Sequence, residues 1–421
     1  MTRPAIVLST IGSHGDLFPV LSLARALDAA GIEPRLGLVP DDCAVARDWG
    51  FDAIPVGPSE TEMTARLGMS RDEIAASVLR DPGRLMQRAL MPLLPSMTDA
   101  LIAMCDGASA VSATTFAMGA SLAAERASLP YVPVLLQPMV TFAPSDAPVI
   151  PRLPVTVTDP GPLGRAWNRI PMAAVRVVLR LRHGRDLTRI RRGMGLPPQP
   201  GTPTIDHGGV VPFRLGLWDA AFAPAPREWP DLKVVGFPPS PRHDPLSDDV
   251  VRWLDDGPAP VVFTLGSVAQ ALGPPDFWFA TAQAARDCGM RAILLHGTAD
   301  APRGPDLLTM PRLPHAPLFP RAAAIVHHGG IGTTAEALRA GKPQVVLPVG
   351  GDQPDNAARL ERLGVARALP IRRFTPGRGA KAIREIMQGF DPAAASELSD
   401  QAMANDGAAA AAAAFRELVA T

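Results

Sequence analysis

Two doubly wound, Rossmann-like α/β units with parallel sheets are predicted by three observations. Short apolar runs alternate with amphipathic helical stretches in both halves, several of those runs end in glycine-bearing turns, and 421 residues exceed one ordinary domain. Ala5 to Thr10 ("AIVLST") reads as the first strand. "GSHGD" then turns into a helix whose apolar positions Leu17, Val20, Leu21, Leu23, Ala24 and Leu27 recur at helical spacing before Gly31. "EPRLGLVP", "SAVSAT" and "PYVPVLLQP" are the following strands. The second half repeats the alternation: "PVVFTLGS" as strand, "FATAQAARDCG" as helix, then "RAILLHG", "AAAIVHH" and "PQVVLPVGG" as strands. Between the halves, "APAPREWPDLKVVGFPPSPRHDP" carries too many prolines for a helix and reads as a linker. These signals predict an N-terminal domain over 1–239 and a second domain over 240–400. The alanine-rich 401–421 should form a terminal helix that docks back on the first domain through Phe415, Leu418 and Val419. Two such domains facing across a cleft would hold ligands at the carboxyl ends of their strands.

Composition narrows the function classes. With 47% apolar residues, 41 basic and 41 acidic, the chain can bury large cores and has no global charge to recruit nucleic acid. Cys43, Cys105 and Cys288 have no metal-ligand spacing, which fits a reducing compartment and core-filling thiols. The apolar start, Ala5 to Ile11, is too short for a signal peptide, and no run is long enough to span a membrane. The expectation is a soluble cytoplasmic protein. One stretch departs from this average: residues 164–192 carry nine arginines and one acidic residue, Asp186, around "MAAVRVVLRL". Two readings stand open, a solvated helix with its apolar side packed on the domain, or peripheral contact with a membrane surface or anionic lipid.

The strongest chemical signal is "HHGGIGTT", residues 327–334, between the apolar "AAAIV" and the helical "TAEALRA". A helix start preceded by glycines exposes unpaired amides to an anion, and phosphate is the natural guest. Gly329, Gly330 and Gly332 clear space, Thr333 and Thr334 offer hydroxyls, and His328 can donate to a phosphate oxygen, becoming more basic as it does so. His327 can point inward instead. After the next strand come Asp352, Gln353 and Asn356, polar groups suited to sugar hydroxyls, although Asp352 also suits a helix cap.

From Leu313 to Ala366, "LPHAPLFPRAAAIVHHGGIGTTAEALRAGKPQVVLPVGGDQPDNAARLERLGVA" resembles the nucleotide-sugar signature of the inverting, Leloir-type glycosyltransferases with the GT-B fold. The bacterial branch that decorates natural products, sterols and glycolipids, rhamnosyltransferases included, has the most similar pattern. "GSHGDLFPVLSLARAL" is similar to that family's acceptor-side motif, whereas about 40–240 is only loosely covered. The resemblance implies that His328, Gly330, Thr333 and Thr334 hold the donor diphosphate, with Ser267 facing it. Glu336 would bind the ribose, and Asp352 with Gln353 the donor sugar. Arg312 stands where plant members carry a base-stacking tryptophan; an arginine can also lie flat on a base, with Leu313 meeting it through the backbone. Uridine versus thymidine stays open.

Inversion requires a base that activates an acceptor hydroxyl. "GSHGD" offers Asp16 at the family's base position and His14 two residues earlier. Asp16 is also an ideal cap for its helix, and the dipole there would depress its pKa. No D-x-D motif occurs, so no metal is expected on the diphosphate, and the helix N-terminus with His328 would supply that electrostatic role. Met86, Met91, Met97, Met104 and Met118 suit either a core or a flexible apolar acceptor pocket. The reading is transfer of a hexose or deoxyhexose from a UDP- or TDP-sugar to a hydroxyl of an apolar small molecule or lipid. Rivals are a nucleotide-sugar epimerase or hydrolase of the same fold, a non-catalytic helper protein, and a nicotinamide oxidoreductase, for which G-x-G-x-x-G spacing is missing after the first strand.

Overall fold

The computed structural model describes residues 3–80, 82–150, 155–158, 161–199, 204, 206–239, 245–266 and 273–420. The chain divides into two compact units: Met1–Ile74, Asp81–Pro239 and Asp406–Thr421 form the first, and Ala75–Arg80 with Ser240–Asn405 form the second.

In the first unit, seven strands are β1 (Ala5–Thr10), β2 (Glu33–Leu38), β3 (Ala53–Pro55), β4 (Ala108–Thr114), β5 (Tyr131–Leu135), β6 (Arg214–Gly216) and β7 (Leu232–Val234). They lie in the order β3-β2-β1-β4-β5-β6-β7, every pair parallel. The second unit has β8 (Val261–Thr264), β9 (Ala292–Leu295), β10 (Leu307–Met310), β11 (Ala324–His327), β12 (Gln344–Val346) and β13 (Ala366–Ala368), in the order β10-β9-β8-β11-β12-β13, also parallel throughout. Each sheet is built outward in two directions from its first strand. The order therefore reverses between β1 and β4 and again between β8 and β11, the switch points where ligands of such sheets bind.

Strand alternation explains why both faces of each sheet are covered. Ile6 and Leu8 of β1 pack with Leu17, Leu21 and Leu27 of helix His14–Ala29, while Val7 points into a second core with Val111, Leu94 and Leu101. All six apolar positions expected on that helix are buried. In the second unit Val261, Phe263 and Val326 face one core, and Val262 and Ile325 the other. The final helix, Gly407–Ala420, belongs to the first unit, where Phe415 is fully buried and meets Phe213 edge-on, with Leu418 and Val419 partly covered.

The expected linker is corrected in one respect. β7 lies inside that proline-rich stretch and adds an edge strand beside β6. Proline is tolerated around an edge strand, and three residues are too few to stand out as an apolar run.

Candidate active site

At the carboxyl end of β1 the chain caps its own helix. The Ser13 hydroxyl takes the Gly15 N–H at 3.2 Å, and the Asp16 carboxylate takes the Ser13 N–H at 2.8 Å and its hydroxyl at 3.2 Å. A Cβ at Gly12 would overlap the Asp16 carboxylate, so a residue without a side chain is required for this fold-back. Across the switch point the Thr10 and Thr114 hydroxyls bond at 2.8 Å. The depressed pKa expected for Asp16 is overturned. Burial of the carboxyl raises it from 3.8 to about 6, outweighing the two Ser13 hydrogen bonds, and the charge of Asp42 adds to the rise. The residue keeps an exposed edge, but desolvation acts on the titrating oxygens. His14 sits at the first position of the same helix, exposed, with its ring tilted 5.2 Å from Phe18.

At the carboxyl end of β11 the arrangement differs. Helix Ile331–Arg339 begins after Gly330, an N-cap residue that makes no side-chain cap bond. His327 is fully buried: Gly329 donates its N–H to Nδ1 at 3.2 Å, which leaves the ring proton on Nε2, 3.0 Å from Gln344 Oε1. It is structural, pointing inward. His328 is 9% exposed, and its Nδ1 has no partner among the described residues. A Cβ at Gly266, after β8, would lie 2.6 Å from the His328 ring, and one at Gly330 would overlap its Nε2. Two glycines therefore clamp the imidazole. Burial, with His327 and His315 nearby, pushes His328 down to about 3, and His327 and His315 are each lowered to about 4, chiefly by burial. The cluster is neutral at pH 7.

Thr333 is 9% exposed and Thr334 fully buried, its hydroxyl without a partner among the described residues. Gly329 has φ +87°, and a Cβ there would strike Val346 at 2.7 Å, so the turn needs glycine twice over. Asn356 holds the turn in place: its amide donates to Gly329 O at 2.9 Å and to the Asp352 carboxylate at 2.7 Å. Asp352 stands at the N-cap of helix Gln353–Arg362 without making a side-chain cap bond. Gln353 is buried, its Oε1 accepting from the N–H groups of Val349 and Gly350. Glu336 is paired with Arg339 at 2.9 Å. Arg312 is exposed just past β10, and Leu313 packs partly against the second unit's core. Ser267 lies outside the described residues.

The methionine pocket is corrected. Met86, Met91, Met97, Met104 and Met118 are all buried, packed with Leu94, Leu101 and Val111 as one core. Each is 5% exposed or less. A cavity of about 540 Å³ does open in the first unit, but it borders Arg214 and Asp231 at the amino ends of β6 and β7, whereas Asp16 follows the carboxyl end of β1. Sequence reasoning assigned no role to Gly266, Gln344 or His315; only the "TLGS" turn hinted at the first.

These two switch-point turns can be compared with known proteins. The model of the erythromycin biosynthesis protein CIII-like C-terminal domain matches residues 295–418. Vancomycin aglycone glucosyltransferase of Amycolatopsis orientalis is 32% identical over 376 residues, covering 86% of this chain and 85% of that one. The chain belongs to this family of antibiotic-tailoring glycosyltransferases. It is a sugar-transferring enzyme of the natural-product type. The solved glycosyltransferase of kitacinnamycin superposes with a TM-score of 0.73 at 21% identity, covering 99% of this chain and all of that one. The glycosyltransferase VinC in complex with dTDP gives 0.67 at 21% identity, with 98% and 99% covered. The fold is GT-B.

Proposed function

We propose that this glycosyltransferase moves a hexose or deoxyhexose, with inversion, from a UDP- or TDP-sugar to a hydroxyl of an apolar small molecule or lipid. The observation that carries the proposal is the uncapped start of helix Ile331–Arg339 beside a buried, neutral His328 whose Nδ1 lacks a partner among the described residues. Open amides and the positive end of the helix dipole suit a diphosphate. Gly330 lets it approach, Thr333 adds a hydroxyl, and Thr334 and Ser267 complete the diphosphate set. Arg312 and Leu313 serve the base, Glu336 the ribose, and Asp352 with Gln353 the sugar. Gln353 acts chiefly by holding the 349–350 amides in place.

In the reaction the acceptor O–H proton passes to the Asp16 carboxylate as the acceptor oxygen forms its bond to the anomeric carbon. The carbon–phosphate oxygen bond breaks on the opposite face, and its electron pair leaves with the nucleoside diphosphate. A carboxyl near pH 6 is ionised at neutral pH yet more basic than an ordinary aspartate. His14, exposed on the same turn, is the alternative base. The dTDP bound to the fold relative VinC supports a thymidine donor among the two nucleotides. The test is thermal stabilisation by a panel of UDP- and TDP-sugars, followed by the anomeric configuration of the product. Stabilisation by at least one such sugar and an inverted product are expected; no shift with any, or a retained configuration, contradicts the proposal.

A further inference from the structure

We propose that helix Pro162–Gly193 docks the first unit onto an anionic phospholipid surface, its apolar side entering the headgroup layer and its arginines pairing with lipid phosphates. The helix is 32 residues long and carries one stripe of its apolar residues on the outside. Leu163 is 88% exposed, Trp167 50%, Ile170 64%, Val178 58% and Leu181 76%. At 100° per residue these positions, with Val177, fall within an arc of about 100°. Val155 and Val157, both exposed, extend the patch; the Trp167 indole donates to Val155 O at 2.6 Å and Asn168 brackets Val157. These exposed residues do not pack on their own domain. A different side holds the helix down: Met172, His183, Leu187 and Arg191 are buried, and Arg191 grips Glu125 through two bonds of 2.9 and 2.8 Å.

Charge selects the occupant. The helix has nine arginines and one aspartate, net +8, in a chain whose 41 basic and 41 acidic residues cancel, so the remainder is net −8. Seven of those arginines are exposed: at the same 100° per residue Arg185 and Arg192 fall within the apolar arc, and Arg180, Arg182 and Arg189 flank it. A second copy of this helix would bring like charges together, whereas lipid phosphates neutralise them while the arginine stems lie along the acyl boundary. Among the described residues no helix is long and apolar enough to cross a membrane, so the contact lies along the surface.

The experiment is sedimentation of the full chain with vesicles of phosphatidylglycerol and phosphatidylcholine mixed about equally, against phosphatidylcholine alone. Binding to the mixed vesicles is expected, weaker by about tenfold or more without the anionic lipid or in about 0.5 M salt. Ile170→Glu with Leu181→Glu should abolish it, and Arg180→Glu with Arg185→Glu should weaken it about tenfold or more, both with an unchanged melting temperature and nucleotide-sugar response. That response separates failure here from failure of the donor assignment. The proposal is overturned if the wild type stays in the supernatant or the double glutamate variant still binds. A melting temperature lowered by Ile170→Glu and Leu181→Glu overturns it too, since that would mean a protein-packed face, as does a wild-type dimer that this variant makes monomeric.

Discussion

The turns after β1 and after β11 occupy equivalent switch points in the two units, yet they solve the helix-start problem in opposite ways. Helix His14–Ala29 is capped by Ser13 and Asp16, whereas the N-cap of helix Ile331–Arg339 is Gly330, which makes no side-chain cap bond. Burial then acts on titratable groups of opposite sign, raising Asp16 to about 6 and pushing His328 to about 3. Both shifts favour the neutral form, but their consequences differ. The closed turn holds a carboxylate that accepts protons readily near neutrality. The open one holds an uncharged imidazole whose Nδ1 has no partner among the described residues, at the start of a helix whose N-cap is a glycine, an arrangement an anion can complete.

Removing the carboxylate breaks the comparison most sharply. Asp16→Asn should lower kcat by about 10²–10⁴-fold while Asn still accepts the Ser13 N–H, so the melting temperature at pH 7 should not fall. His14→Ala should retain most activity; the reverse result would transfer the base role to His14. On the other side, Gly330→Ala displaces the clamped ring and should weaken nucleotide-sugar binding about tenfold or more, measured by calorimetry.

A pH series separates the two turns by sign. The rate should fall about tenfold per pH unit below 6 as Asp16 protonates, and residual activity in Asp16→Asn should lack this limb. Stability responds differently. Between its unfolded value of 3.8 and about 6, folded Asp16 holds a proton that the unfolded chain has released, so its contribution favours the fold at low pH and is lost as pH rises through 6. His315, His327 and His328 do the reverse: their contribution is complete above about 6.5 and is lost as pH falls towards 4 and 3. Acid melting curves should therefore show the second unit weakening below pH 6.5, less so in a His328→Asn variant. The smallest effect is expected for Thr333→Val, about threefold to tenfold in donor affinity from one lost hydrogen bond.

Much of this layout was legible in the residue string, for reasons that differ by element. β1, β8 and β11 hold the contiguous apolar residues AIVL, VVF and AIV, and β4 spaces Ala and Val between small hydroxyl residues over seven positions, so local pattern finds them. β3, β7 and β13 have three residues each and depend on pairing with a neighbour, a long-range fact that local pattern does not carry. The glycine turn and its inward His327 were readable because strand end, glycines and helix follow one another directly. Gly266 was not tied to His328, since only the parallel pairing of β8 with β11 brings them together. The direction of the Asp16 shift was misjudged because capping is local, whereas desolvation depends on the packed surroundings. The methionines were ambiguous in sequence, as flexible apolar side chains fill cores and line pockets equally well.

The central claim is that a diphosphate rests on the open helix start of the second unit. Amide resonances of the chain followed during titration with dTDP and UDP test it directly. The account predicts that the largest shifts for at least one nucleotide fall on Gly330, Ile331, Gly332 and Thr333, with the His328 imidazole moving towards its protonated form. Saturable binding that leaves these five residues unmoved, or that moves Gly15 and Asp16 instead, would contradict it.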